Sequence, residues 1–301
     1  KIVYFQHICT SFVFTLCRDN PPFKNSTPSP KICQLFVVVL RDSFVLCSDF
    51  SRNIFFSCIL FRFFWIACCV CGIMRVIFHR EVIVCVLITG TSSGIGKAIA
   101  EKFLKEGFDV TGFDRKEASI RQESYTHFCL DIRAREQYPA LAPFDIVINN
   151  AGVQNEDDID INLKGTIAIT EAYGIHDNIR AILMIGSASG HTGAEFPEYT
   201  ASKGGVLAYT KNVALRIAPY GGTCNSLDFG GVLTELNLPV TEDQKLWDQI
   251  MELTPLKRWM TVEEAADWAY FMTVTNRFCT GQNILIDGLE AGNAHFVWPD
   301  E

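Results

Sequence analysis

The stretch "VIVCVLITGTSSGIGKAIAEKFLKEG", residues 82–107, decides the fold. Its first nine residues are a continuous run of β-branched and apolar side chains, the composition of a strand buried on both faces. A glycine-rich turn follows, and then "KAIAEKFLKEG", which places Ala98, Phe103 and Leu104 on one helical face and Gly107 where a helix ends. Strand, glycine turn and helix in that order form the opening of a βαβ unit, the context in which a glycine pattern becomes informative.

The same alternation continues along the chain. "FDVTGFD" (108–114), "YTHFCLD" (125–131), "DIVINNAG" (145–152), "RAILMIGSAS" (180–189), "GTCNSLDFG" (222–230) and "QNILIDG" (282–288) read as further strands. Helical patterns cover roughly 158–175, 198–217 and 262–274, the last opening with Thr261 and Glu264 in capping-box spacing. Strands alternating with helices imply an α/β fold: a doubly wound parallel sheet, Rossmann-type, in a single domain from residue 82 to residue 301.

Within "TGTSSGIG" (89–96), Gly90 permits a tight turn, Gly94 lets the backbone approach a pyrophosphate, and Gly96 lets helix and strand pack closely. The helix N-terminus offers unpaired N–H groups and a partial positive charge to phosphates. Asp114 ends the second strand eighteen residues beyond Gly96, where a carboxylate accepts hydrogen bonds from an adenosine ribose and repels a 2′-phosphate. Arg115 pulls the other way, since guanidinium pairs well with phosphate. The balance favours NAD(H), with NADP(H) as the alternative.

The 301 residues are not uniform. Residues 1–85 carry nine Lys/Arg and four Asp/Glu, a net of about +5, whereas the remainder carries seventeen and thirty, a net of about −13. Nine of the twelve cysteines and more than half of the phenylalanines lie in that first part, which holds only one glycine, Gly72. Residues 1–81 therefore read as an apolar, cysteine-rich extension outside the functional fold, with a functional start near Met74, Val82 or Val84. "RDNPPFKNSTPSPK" (18–31) suits a loop or disorder, and "CCVC" (68–71) lacks a second Cys/His pair at ligand spacing. Residues 53–73 are about long enough to cross a bilayer. Arg62 near their middle costs roughly 2.5–3.5 kcal/mol, which the surrounding Phe and Leu offset in part, so a membrane segment stays open. The acidic part excludes nucleic acid, which requires a basic face. Its scattered Cys129, Cys224 and Cys279 fit reduced thiols in the cytoplasm.

"PEYTASKGG" (197–205) places Tyr199 and Lys203 one helical turn apart on the same face. A free phenol, with a pKa near 10, is a poor base at neutral pH. A unit charge at about 4 Å contributes roughly 4 kcal/mol at an effective dielectric near 20, which lowers the phenol pKa by up to ~3. The pair is a candidate proton shuttle. Ser187, at the end of the strand in "IGSASG", lies at the edge where open α/β sheets bind ligands and can donate to a substrate oxygen as charge develops.

These residues resemble the short-chain dehydrogenase/reductase family over about 82–290, through "TGTSSGIG", "NNAG" (149–152), Asn162 in "DINLKGT", Ser187, and "YTASK". The resemblance implies hydride transfer between a nicotinamide and a carbonyl or secondary alcohol. It makes Tyr199 the acid/base, Ser187 the orienter of the substrate oxygen and Asn162 part of a water-linked proton relay. Lys203 is implied to hold the nicotinamide ribose and lower the tyrosine pKa. Cofactor contacts are implied for Gly90, Ser92, Ser93, Gly94, Ile95, Gly96, Asp114, Asp131, Ile132, Asn149, Ala151, Gly152, Tyr199, Lys203, Val232 and Thr234. No metal is implied.

Three departures stand out. Phe229-Gly230 replaces the family's Pro-Gly before Thr234. Only eleven residues separate Asn150 from Asn162. Leu289 stands where a second glycine is usual.

Residues 235–256 follow Thr234 as a substrate lid in which Leu236, Leu238, Trp247, Ile250 and Met251 line an apolar pocket or close over the core. His191 in "GHTG" either reaches a substrate or is an uninvolved loop histidine. In style the chain is closest to 3-oxoacyl carrier-protein reductases and to dihydrodiol or hydroxysteroid-type dehydrogenases, and the family implies a homodimer or homotetramer. A cofactor-sensing protein without catalysis is the alternative from another class, and it would not need the phenol, its lysine and Ser187.

Overall fold

The computed structural model describes residues 36–40, 43–47, 84–154, 157–194 and 196–292. The chain divides into two compact units, Lys1–Val82 and Ile83–Glu301. In the first, Phe36–Leu40 and Ser43–Cys47 pair antiparallel, Phe36 opposite Cys47 and Leu40 opposite Ser43. Residues 53–73, "CCVC" and Met74 lie outside the described residues.

The second unit is built on a sheet of seven parallel strands: β1 (Cys85–Thr89), β2 (Asp109–Asp114), β3 (Tyr125–Cys129), β4 (Ile146–Asn149), β5 (Ala181–Ile185), β6 (Thr223–Phe229) and β7 (Asn283–Ile286). Their spatial order is β3-β2-β1-β4-β5-β6-β7. The order reverses beside β1, so the carboxyl ends of β1 and β4 diverge and leave a crevice for a ligand. All seven expected strands are present among the described residues, each somewhat shorter than the stretch of sequence read for it.

The pleat sends alternate side chains to opposite faces. Val86 and Ile88 join one buried cluster and Leu87 the other. Helix α1 (Gly94–Lys105) and helix α5 (Val262–Tyr270) cover the first face, joined by Phe103 against Tyr270 at 5.4 Å between ring centroids. Helices α2 (Thr166–Tyr173) and α3 (Pro197–Ile217) cover the second with Ile169, Tyr173, Val206 and Val213. Helix α4 (Gln244–Leu253) has no buried residue.

Two helical stretches differ from expectation. Ile159–Gly165, leading into α2, and Phe271–Thr275, following α5, are wound with π-type hydrogen bonds. Between β4 and the first of these, no helix appears among the described residues up to Asp157, in keeping with the short Asn150–Asn162 spacing.

Candidate active site

The phosphate loop is fitted to close approach. Gly90 adopts φ +76°, and its N–H donates to the Phe113 carbonyl at 2.7 Å. A Cβ on Gly96 would lie 2.0 Å from the Gly90 carbonyl and 2.3 Å from Asn150 Nδ2, so only glycine fits there. Ser93 caps α1 without a side-chain hydrogen bond, and no acidic residue occupies the first turn. The first-turn N–H groups are left for an anion. This cradle fits the pyrophosphate of a nicotinamide dinucleotide.

Asn150 fastens the cradle to β4. Its Nδ2 donates to the Thr89 carbonyl at 3.0 Å and to the Gly90 carbonyl at 3.2 Å, while the N–H groups of Asn150 and Ala151 donate to Thr89 Oγ1. Neither Asn150 nor Thr89 was a sequence candidate, although "NNAG" marked the turn. Thr234 lies beside the loop: a Cβ on Gly94 would be 3.6 Å from its Cγ2. The segment before Thr234 is pinned to Met260, with Val232 bridged to it, the Leu233 N–H donating to the Met260 carbonyl and the Met260 N–H donating to the Gly231 carbonyl.

At the adenosine side, the Asp114 carboxylate accepts from the Ser92 N–H at 2.9 Å and the Lys116 N–H at 2.8 Å. Its charge is thus fixed between β2 and the phosphate loop. The Asp131 carboxylate is clasped by Arg133, whose Nη2 approaches to 2.7 Å and holds that carboxyl below its ordinary range. Arg133 also bridges to Asp157. The Ile132 side chain is buried. The Asn149 amide points into the core, donating to Thr170 Oγ1 at 3.0 Å, and its main chain pairs with Met184 on β5. Gly152 lies against Asn162, whose Oδ1 would be 3.1 Å from a Cβ there.

The expected reacting-centre residues gather where α3 meets the carboxyl end of β5. Tyr199 and Lys203 share a face of α3, and Lys203 Nζ lies 5.6 Å from the centre of the tyrosine ring. Lys203 is buried, and its ammonium donates to the Ile185 carbonyl at 2.9 Å. Ser187 is also buried; its Oγ lies 2.9 Å from Ser189 Oγ and accepts from the Ser189 N–H at 3.2 Å. Asn162, in the π-wound stretch, accepts from the Val153 N–H at 2.8 Å and donates to the Val153 carbonyl at 2.9 Å and to Ser202 Oγ at 3.1 Å. Ser202 in turn donates to the Tyr199 carbonyl at 2.7 Å. All four expected reacting-centre residues thus fall on elements that meet at one edge of the sheet. Ser202, which sequence reasoning did not single out, joins Asn162 to the Tyr199 main chain, and Ser189, also not singled out, orients Ser187.

In the lid, Leu236 and Leu238 are exposed, while Trp247, Ile250 and Met251 are half-buried. Trp247 stacks edge-on against Trp259 at 5.1 Å. The apolar lid residues therefore do not close over the core. Among the described residues there is no acidic, histidine or cysteine cluster able to hold a metal, and no helix is long and apolar enough to cross a membrane. Cys129, Cys224 and Cys279 are free thiols, as is Cys85.

A glycine-rich loop with open N–H groups and a buried lysine, a tyrosine and a serine beside the end of β5 accord with hydride exchange, and the chain is an NAD(P)-dependent oxidoreductase acting on CH–OH or C=O groups. A profile of the family described as enoyl-(acyl carrier protein) reductase matches residues 90–288, and the chain belongs to the short-chain dehydrogenases/reductases. It is 28% identical over 233 residues to a 3-oxoacyl-[acyl-carrier-protein] reductase of Buchnera aphidicola, covering 67% of this chain and 94% of that protein. Among solved structures, 4-hydroxyisoleucine dehydrogenase complexed with NADH shares the fold, with TM-score 0.63 and 24% identity over 70% of this chain and all of that one. A putative 2-deoxy-D-gluconate 3-dehydrogenase from Agrobacterium tumefaciens with bound NADP gives TM-score 0.63 and 25% identity, covering 70% of this chain and 97% of that one.

Proposed function

We propose that the chain reduces a carbonyl or oxidises a secondary alcohol with Tyr199 as acid/base. The placement of the Lys203 ammonium, fixed by Ile185 and 5.6 Å from the Tyr199 ring, carries this reading. A buried cation stabilises the phenolate over the phenol, which readies Tyr199 to exchange a proton at its hydroxyl. Ser187, oriented by Ser189, donates to the substrate oxygen as it gains charge. Asn162 holds the Val153 turn and, through Ser202, the head of α3, and so supports the proton path. When bound, the nicotinamide supplies or accepts the hydride. Ser92, Ser93, Ile95 and the loop glycines hold its phosphates, and Ala151, Gly152, Val232 and Thr234 border its path.

Asp114 supports NAD(H) over NADP(H), because a 2′-phosphate would face a carboxylate already fixed by two N–H donors. The relatives named above support a 3-oxoacyl-type substrate as one reading. The half-buried apolar lid supports a dihydrodiol or hydroxysteroid-type substrate as the other. The functional unit begins near residue 82 and works as a homo-oligomer in the cytoplasm.

The test is turnover of a panel of ketones, acyl thioesters and diols with both cofactors, using the full chain and residues 82–301. Turnover by both chains, with NADH preferred at least tenfold, is the expected result. Loss of turnover in the shorter chain would contradict the assigned start, and a preference for NADPH would contradict the role of Asp114.

A further inference from the structure

Behind Ser187 lies a carboxylate that the proposed reaction does not use. Asp228, on β6, has 0% of its surface exposed, yet its Oδ2 lies only 2.6 Å from Nε2 of His191. Its Oδ1 has no hydrogen-bond partner among the described residues and abuts Gly186, where a Cβ would lie 1.9 Å away. Burial raises the Asp228 carboxyl above its ordinary range, against the pull of His191, Ser226 and the Lys203 ammonium. An uncompensated buried carboxylate is costly, so a partner placed this closely is a built feature of the site.

His191 belongs to the same loop as Ser187. The single helical turn Ser189–Thr192 begins at the Ala188 carbonyl, which accepts the His191 N–H at 2.9 Å. Gly190 packs on α3, where a Cβ would lie 3.1 Å from the Lys203 main chain. The turn is thus seated on the catalytic helix at one point and tied to β6 through the imidazole. The imidazole remains 30% exposed, and its Nδ1 shows no hydrogen bond among the described residues.

A carboxylate on Nε2 fixes what Nδ1 presents. With a neutral ring, Nε2–H donates to Asp228 and Nδ1 is an acceptor; with a protonated ring, Nδ1–H is a donor. A hydroxyl satisfies both states, because it donates and accepts, whereas a carbonyl or carboxylate satisfies only the second.

We propose that His191, held by Asp228, orients the substrate through a second hydroxyl next to the reacting carbon, so that α-hydroxy ketones and vicinal diols are preferred. This rests on the dehydrogenase reading above and narrows its substrate class. Asp228 is a positioning residue that acts through the imidazole.

The experiment measures kcat/KM with NADH for ketones paired with their α-hydroxy counterparts: cyclohexanone with α-hydroxycyclohexanone, and butanone with acetoin. The wild type is expected to favour the hydroxy member about tenfold, chiefly through KM. In His191→Gln, the amide keeps a donor to Asp228 but has no atom in place of Nδ1, and the preference is expected to fall to about unity. Asp228→Asn, which conserves shape but no longer fixes the tautomer, is expected to erode the same ratio. A role confined to folding would lower both members of each pair alike and leave the ratio intact. An unchanged ratio in His191→Gln, or no preference in the wild type, overturns this inference alone. Reduction of neither member by the wild type, while another carbonyl of the wider panel is turned over, overturns this inference and leaves the dehydrogenase reading standing; no turnover of any carbonyl overturns both.

Discussion

Leu289 stands in the left-handed region at φ +71°, where a Cβ crowds the neighbouring backbone. Its side chain is exposed, so little burial offsets the strain. Leu289→Gly is expected to raise the free energy of unfolding by about 0.5–1 kcal/mol, the relieved strain less the added chain entropy of glycine. Urea denaturation measures this, and a loss of stability would show that the Leu289 side chain contributes more than its conformation costs. This residue was visible in advance as a leucine in place of a glycine. Tyr199, Lys203 and Ser187 were legible as well, because together with the glycine loop and "NNAG" they resemble the family's motifs in the right order, whereas a tyrosine and lysine one turn apart say little alone. Asp228 was not. It sits inside a strand pattern, and its partner His191 is 37 positions away, so only the fold brings the two together. Asn150 was overlooked for the same reason: its work is done at Thr89 and Gly90, across the gap between two strands.

Among the elements, α5 shows how far local chemistry reaches. Thr261 Oγ1 accepts from the Glu264 N–H at 3.3 Å, and Glu264 accepts in return from the Thr261 N–H at 3.0 Å, the capping box that the spacing implied. Arg258 adds a two-pronged contact at 2.7 Å and, with the Thr261 N–H, holds the Glu264 carboxyl down to about 2. Since the folded pKa lies below the unfolded one, this contribution is complete above about pH 4.5 and is lost as the pH falls toward 2. Glu264→Gln is therefore expected to flatten that part of the stability profile, and Thr261→Ala to cost about 1 kcal/mol at neutral pH. Thermal melts between pH 2 and 7 check both, and an acid limb unchanged in Glu264→Gln would contradict the assignment. The π-wound stretches lay beyond sequence reading, because π winding is rare and occurs in pieces too short for their period to show in the apolar pattern. The one before α2 delivers Asn162 to Ser202 and Val153, so the least readable element positions part of the site.

At the level of the whole molecule, alternation of strands and helices was enough to read a doubly wound parallel sheet, while the order of its strands comes from the structure. The exposed faces of the lid could not be read, because an apolar stripe reads alike whether it covers a core or a substrate. The sheet brings the phosphate cradle of β1, the asparagine turn of β4 and the serine turn of β5 to a single edge, and α3 lays its phenol and ammonium beside them. The account therefore turns on one side-chain oxygen. Its most direct test is the single-turnover rate of NADH oxidation by Tyr199→Phe on a ketone that the wild type reduces, with NADH affinity measured alongside by fluorescence. The account predicts a rate lowered about 10²–10⁴-fold with affinity nearly unchanged. A rate within a few-fold of the wild type would contradict it.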